Sequence, residues 1–145
     1  MSRIDATFAA LRDRKRTALI PYVTVGDPHA DGTPELLLAM AQAGADIIEL
    51  GIPLSDPMAD GPVVQKASER ALARGIGMKQ VLSAVAEFRR QDPKTPIVLV
   101  AGGTGFAPVK AIVEHFMALG TRRPMRVYWG ARQAADIYLR EQAER

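Results

Sequence analysis

Apolar residues recur along this chain with two periods, and the switches between them predict its elements. Residues 5–15 set Phe8 and Leu11 among alanines at helical spacing, a short amphipathic helix. The run ALIPYVTV (18–25) is a strand pattern closed by the turn signal Gly26-Asp27-Pro28. Thr33-Pro34-Glu35 reads as an N-cap with proline at the first helical position, and the helix ELLLAMAQAG stops at Gly44. ADIIELGI (45–52) is apolar almost throughout, as strands are in parallel sheets covered on their faces. A loop rich in proline, aspartate and glycine, PLSDPMADGP, leads into a helix that ends at Gly75. Residues 77–91 predict a further helix, with Val81, Leu82, Val85 and Phe88 on one stripe, broken by Asp92-Pro93. PIVLV (96–100) is a third strand, 109–120 a helix, MRVYWG (125–130) a fourth strand, and AADIYLREQAER a closing helix.

Strands alternating with helices predict an α/β fold with a parallel sheet, here four βα units in a single domain spanning 1–145. Strand order 1-2-3-4 would place every helix on one face, as in half a (β/α) barrel. The other face would then be apolar and open, which favours a homodimer. Order 2-1-3-4, the flavodoxin- or Rossmann-like sandwich, covers both faces and is the alternative.

Composition removes several classes of function. With 48% hydrophobic and 24% charged residues the chain is expected to fold rather than remain disordered. No apolar run approaches the ~20 residues of a membrane span, and the N-terminus lacks the apolar core of a secretory signal. The absence of cysteine excludes disulfides, Cys-ligated zinc and iron–sulfur clusters, and fits a cytoplasmic protein. His29 and His115 stand far apart, so no histidine metal site is expected. Residues 1–100 hold 12 basic and 12 acidic side chains, and 101–145 hold 7 and 4, so the whole positive excess lies in the last third. Those arginines are scattered, without runs or interleaved aromatics, which reads as a solvated surface rather than a nucleic-acid interface.

One polar feature interrupts the apolar pattern. Glu49 falls near the C-terminal end of the second predicted strand, and Asp60 in the loop after it. In (β/α) barrels, catalytic groups occupy those positions. A carboxylate inside an apolar strand is costly unless paired, protonated or put to use. Two carboxylates in unlike surroundings can divide acid and base roles. From the residues alone, Glu49 as a buried structural partner stands equal to Glu49 as a catalyst, and Tyr22 reads equally as a core tyrosine with a wet hydroxyl.

LIPYVTVGDP, AGADIIELGIPLSDPMADGPVVQKASERAL and RRQDPKTPIVLV, taken in order and spacing, resemble the tryptophan synthase α family over residues 1–100. The resemblance implies a TIM barrel and a cofactor-free lyase that splits indole-3-glycerol phosphate into indole and glyceraldehyde 3-phosphate by retro-aldol chemistry. It implies Glu49 as the acid that protonates the indole carbon and Asp60 as the carboxylate that steadies positive charge at the indole nitrogen. Tyr22 would lie against the indole. Asp56 and Pro57 would belong to a loop facing the β subunit, although turn chemistry alone would also explain them. Leu54 departs from the phenylalanine usual there.

After Val100 the pattern changes. VLVAGGTGFAPVKAIVEHFMALGTRRPMRVYWGAR resembles the start of the NAD(P)-binding domain of ferredoxin–NADP reductase-type flavoenzymes, over about residues 97–140. Gly102, Gly103, Thr104 and Gly105 would cradle a pyrophosphate at a helix N-terminus, and Arg132 would meet the adenosine ribose or its phosphate. No acidic residue stands where a Rossmann domain holds the ribose. The glycine-rich phosphate loops of the synthase have no counterpart in these 145 residues. The expectation is thus a truncated or chimeric α-like lyase of low activity, joined at PIVLV to a reductase-like segment. The alternatives are an NAD(P)-binding module and an inactive scaffold.

Overall fold

The computed structural model describes residues 2–55, 60–100 and 106–120. In chain order they form α1 (Arg3–Asp13), β1 (Tyr22–Thr24), α2 (Thr33–Gln42), β2 (Ile48–Gly51), α3 (Pro62–Ala73), α4 (Met78–Gln91), β3 (Ile97–Val100) and α5 (Phe106–Ala118). The fourth strand and the closing helix expected from the sequence fall outside the described residues.

Local chemistry sets most of these limits. Ser2 caps α1: its hydroxyl accepts from the Asp5 amide at 3.1 Å, and the Asp5 carboxylate accepts from the Ser2 amide at 3.0 Å. β1 is shorter than the run 18–25 because Pro21 has no N–H to give and Gly26 turns the chain with φ +80. Before it, Leu19 is held by Asp46, whose carboxylate accepts from the Leu19 amide at 2.8 Å. Thr33 is not the cap of α2 but its first residue, with Gly32 in the cap position. Its buried hydroxyl instead accepts from the Gly26 amide at 3.0 Å, fixing the turn after β1. α5 begins three residues before the position expected, with Pro108 in its first turn, where no helical partner for an N–H is required.

The three strands form one parallel sheet in the order β1-β2-β3. β2 is central, which corrects the alternative order 2-1-3-4 for these strands. Its backbone pairs on both edges: Val25 donates to Gly51 at 3.1 Å, Ile48 to Pro96 at 3.0 Å and Ile52 to Val100 at 2.9 Å. A strand bonded on both sides shows solvent neither edge, and the most apolar run of the sequence fills that place.

Alternation along the strands separates two faces. Val23, Val25, Ile48, Leu50, Ile52, Ile97 and Leu99 pack with Leu37, Ala71, Val81 and Phe88 into the core beneath the helices. Leu82 does not join them. It is 44% exposed, while Ala84, one turn from Val81 and Phe88, takes the buried place. Tyr22, Thr24, Glu49, Gly51, Val98 and Val100 share the opposite face, in rows fixed by the register. That face is polar along β1 and β2. Along β3 it carries Val98 and Val100.

Two polar clamps hold the loops. Asp92 accepts from the amides of Lys94 and Thr95 at 2.8 Å each and from the Thr95 hydroxyl at 2.5 Å. Burial alone would raise its pKa, but these hydrogen bonds hold the carboxyl below its ordinary value. Asp27, after β1, receives both Nε and Nη2 of Arg70 on α3 at 2.7 Å, with Arg74 at 3.6 Å. The Arg70 hydrogen bonds keep Asp27 below the ordinary carboxylate value against an opposing effect of burial.

Phe88 is fully buried, and truncation to alanine should cost about 3–5 kcal/mol, read as a lower urea midpoint at unchanged slope. The Asp27 contribution is present above the unfolded carboxylate pKa and disappears as pH falls through the depressed folded value. Melting temperatures of wild type and Arg70→Ala should accordingly differ at neutral pH and converge in acid. A constant difference across that range would remove Asp27 as the group responsible.

Candidate functional site

The polar face of the sheet gathers the residues that the sequence singles out. Tyr22 on β1, Glu49 on β2 and Val98 on β3 occupy one row, because the parallel register pairs Tyr22 with Glu49 and Glu49 with Val98. Neighbouring strands lie about 4.8 Å apart, so side chains in one row on one face are immediate neighbours. Glu49 is half-buried between Ile48 and Leu50, both wholly buried on the other face. Its amide donates to the Pro21 carbonyl at 2.9 Å, tying the carboxylate-bearing residue to β1.

The next row toward the C-terminal ends of the strands contains Thr24, Gly51 and Val100. Tyr22 leans into this row. A Cβ built on Gly51 would come within 2.5 Å of Tyr22 Cζ and closer still to its Oη, so the absence of a side chain at 51 makes room for the phenol. The buried Thr24 hydroxyl donates to Tyr22 Oη at 3.4 Å.

Asp60 reaches the site from the loop between β2 and α3. It is half-buried, and its carbonyl accepts from Gln65 Nε2 at 2.8 Å, which fastens the end of the loop to the first turns of α3. Gly61 and Pro62 follow as cap and first helical residue, a proline-start helix in which no N–H is lost. Tyr22 responds to its surroundings electrostatically. Burial raises its phenol pKa above the ordinary value, the Thr24 hydrogen bond opposes this, and the charges of Asp60 and then Glu49 raise it further. Glu49 and Asp60 thus both act on the Tyr22 phenol, at one end of the sheet.

A cleft of about 290 Å³ opens beside Tyr22 between the turn after β1 and α3, lined by Thr24, Asp27, Val63, Val64 and Ala67 among others. Another, of about 230 Å³, lies at the N-terminal ends of the strands between Arg14, Arg16, Asp46 and Lys94. There Arg16 is paired with Asp46, which also holds Leu19, so its polar groups serve the fold. Glu49, near the C-terminal end of β2, and Asp60, in the loop after it, belong to the first end, where (β/α) barrels carry their catalytic groups.

Sequence reasoning did not single out Gly51, Thr24 or Gln65. A glycine inside an apolar strand marks a close approach and was a usable signal for Gly51. The pairing of Thr24 with Tyr22 had no such signal, because it depends on where the phenol ring leans. Leu54 is half-buried against the core, so a smaller side chain in place of phenylalanine leaves that position packed. Asp56 and Pro57 lie outside the described residues, as do Gly102, Gly103, Thr104, Gly105 and Arg132. Among the described residues no three His, Asp or Glu side chains are placed to hold a metal ion.

Comparison with known proteins gives this geometry a family context. A profile of the tryptophan synthase alpha chain family matches residues 8–122. The tryptophan synthase alpha chain of Methylibium petroleiphilum is 68% identical over 120 residues, 81% of this chain and 43% of that relative. That of Leptothrix cholodnii is 65% identical over 100 residues, 69% of this chain and 37% of the relative. Among solved structures, tryptophan synthase subunit alpha from Legionella pneumophila superposes with a TM-score of 0.72 at 44% identity, covering 77% of this chain and 42% of that one. The chain therefore spans roughly two fifths of the length of the relatives it matches. The family match continues beyond Val100 and includes the GGTG turn. The reductase-like reading of residues 97–145, with its NAD(P) cradle and chimeric junction, has no support beyond the sequence pattern.

Gly51→Ala should displace Tyr22, because the added carbon and the phenol cannot share the space. The expected result is a chain that keeps its far-UV spectrum but changes its near-UV tyrosine signal and loses about 1–3 kcal/mol of stability. An unchanged tyrosine signal would show that the ring has room to spare.

Proposed function

This chain belongs to the tryptophan synthase alpha chain family, and from that premise we propose that its polar sheet face carries the acid–base pair for retro-aldol cleavage of indole-3-glycerol phosphate. The observation that carries the reading is the convergence of Glu49, Asp60 and Tyr22 on one end of the parallel sheet.

The reaction needs a proton at the indole carbon bearing the glycerol chain, which leaves positive charge at the ring nitrogen. Glu49 is the proton donor. Its position on the central strand, amide tied to β1, gives the carboxyl little freedom to leave the ring's path. Asp60, held at its own carbonyl by Gln65, supplies the negative charge that steadies the nitrogen. The carbon–carbon bond then breaks as a glycerol hydroxyl gives up its proton to a base. The bonding electrons return to the ring, releasing indole and glyceraldehyde 3-phosphate. The phenol ring of Tyr22, set over Gly51, provides a wall for the indole plane. No cofactor takes part. The loop containing Asp56 and Pro57 is the segment proposed to face a β subunit.

Binding energy from a substrate phosphate, remote from the reacting carbon, serves to orient that carbon. Indole release from indole-3-glycerol phosphate, measured with added β subunit, should be detectable and fall at least ~100-fold on Glu49→Gln, the usual scale of general acid–base catalysis. A rate at background in wild type, or one insensitive to Glu49→Gln, overturns the reading.

A further inference from the structure

We propose that Asp27 and Arg70 form a clamp that positions α3 and, through it, Asp60, which makes Arg70 a positioning residue for the cleavage. The inference rests on the proposed role of Asp60 and gives the grip on the other half of the helix a part in the reaction.

α3 has little apolar contact to hold it. Its buried residues are Ala67, Ser68 and Ala71, all small, whereas α2 buries Leu37 and α4 buries Val81 and Phe88. Stabilisation by burial grows with the apolar area removed from water, so three small side chains supply little of it. Val63, in the first turn, is 80% exposed. The same end of the helix borders the cleft beside Tyr22, which Val63, Val64 and Ala67 line together with Thr24 and Asp27.

Polar contacts take over at the C-terminal half. Arg70 donates Nε and Nη2 to the two carboxylate oxygens of Asp27, each at 2.7 Å. A two-point guanidinium–carboxylate bond fixes orientation as well as distance. One turn on, Arg74 donates to the Gly26 carbonyl at 3.0 Å. The turn that receives both is itself fixed. The Gly26 amide donates to the buried Thr33 hydroxyl, and the Asp27 amide to the Thr24 carbonyl at 3.2 Å. The C-terminal half of α3 is therefore anchored to the end of β1.

The N-terminal half carries the site. Asp60 stands two residues before Pro62, the first residue of α3, and Gln65 donates to its carbonyl at 2.8 Å. The Gln65 amide donates to the Gly61 carbonyl at 3.0 Å, so the end of the loop moves with the first turn. Pro62 and Arg70 are roughly 12 Å apart along the helix, which transmits displacement as a rigid rod. An anchor at Arg70 thus sets where the helix start, and Asp60 with it, can lie. Without that anchor, a start that buries so little samples a wider range of positions.

Amide hydrogen exchange on the full 145-residue chain tests the clamp without substrate. Arg70→Ala should speed exchange of the Gln65, Lys66 and Ala67 amides roughly 10-fold, the scale of one charge-assisted hydrogen bond, and leave the α4 amides unchanged. Asp27→Asn should do the same and the double variant no more, because either change removes the one grip. Arg70→Lys keeps the charge but not the two-point geometry, so it should fall between, and it decides if Arg70→Ala does not fold. With added β subunit, indole release by Arg70→Ala should show kcat lowered about 10- to 100-fold and KM within about twofold, the signature of a misplaced group. Arg16→Ala, which breaks the pair with Asp46 at the opposite end of the strands, should lower stability and move neither readout. Faster exchange in α3 together with the lower kcat supports the clamp. Unchanged exchange, exchange sped equally in α4, or a wild-type kcat overturns it. The exchange response with no indole release in wild type retains the clamp on α3 and defeats the lyase. Indole release with no exchange response defeats the clamp and leaves the lyase standing.

Discussion

The structure turns on a carboxylate carried by its most buried strand. β2 pairs on both edges and presents Ile48 and Leu50, wholly buried, to the helices. Glu49 between them must then point to the other face, since successive side chains on a strand alternate. A slip of one residue in register would drive the carboxylate into the apolar core and expose the two large aliphatic side chains, a double cost that fixes the register. The position of Glu49 is thus a consequence of how the core is packed. No separate device is needed to aim it.

Around that strand, aspartates do much of the holding. Asp46 ties the segment before β1 to the start of β2, Asp27 draws the turn after β1 onto α3, and Asp92 closes the turn that leads into β3. Each satisfies backbone or guanidinium donors that would otherwise be left at a sheet end. Asp27 does so while lining the cleft beside Tyr22. Asp60 differs from them: its backbone carbonyl takes the hydrogen bond from Gln65, and its charge acts on Tyr22. Which carboxylates are committed to holding the fold is visible only once the chain is folded.

The polar face also explains why Tyr22, Thr24 and Gly51 belong together. The phenol needs the gap at Gly51, and the Thr24 hydroxyl lies on the same strand face two residues on. Volume, hydrogen bonding and charge thus agree on one placement of the ring. That agreement distinguishes a positioned side chain from one that merely occupies a surface.

Much of this was legible in the residues themselves. Period-2 and period-3.6 patterns located three parallel strands and the five helices around them among the described residues, and the string ELGIPLSDPMADGP marked both carboxylates. Those signals are local, set by alternation, turn residues and the spacing of one motif. Strand order was not local, and two orders remained open until pairing across β2 fixed the order of the three described strands and excluded 2-1-3-4. Thr33 resembled a cap because caps are read from neighbours in sequence, yet its hydroxyl was taken by Gly26, seven residues away. Leu82 fitted a helical stripe whose width only the facing sheet could set. The sequence by itself determined which residues could form a parallel sheet with two carboxylates near the ends of its strands. Only the tertiary structure decided that Tyr22 would share a row with Glu49 and lean over Gly51, because register and ring placement arise from contacts between segments that no local pattern encodes.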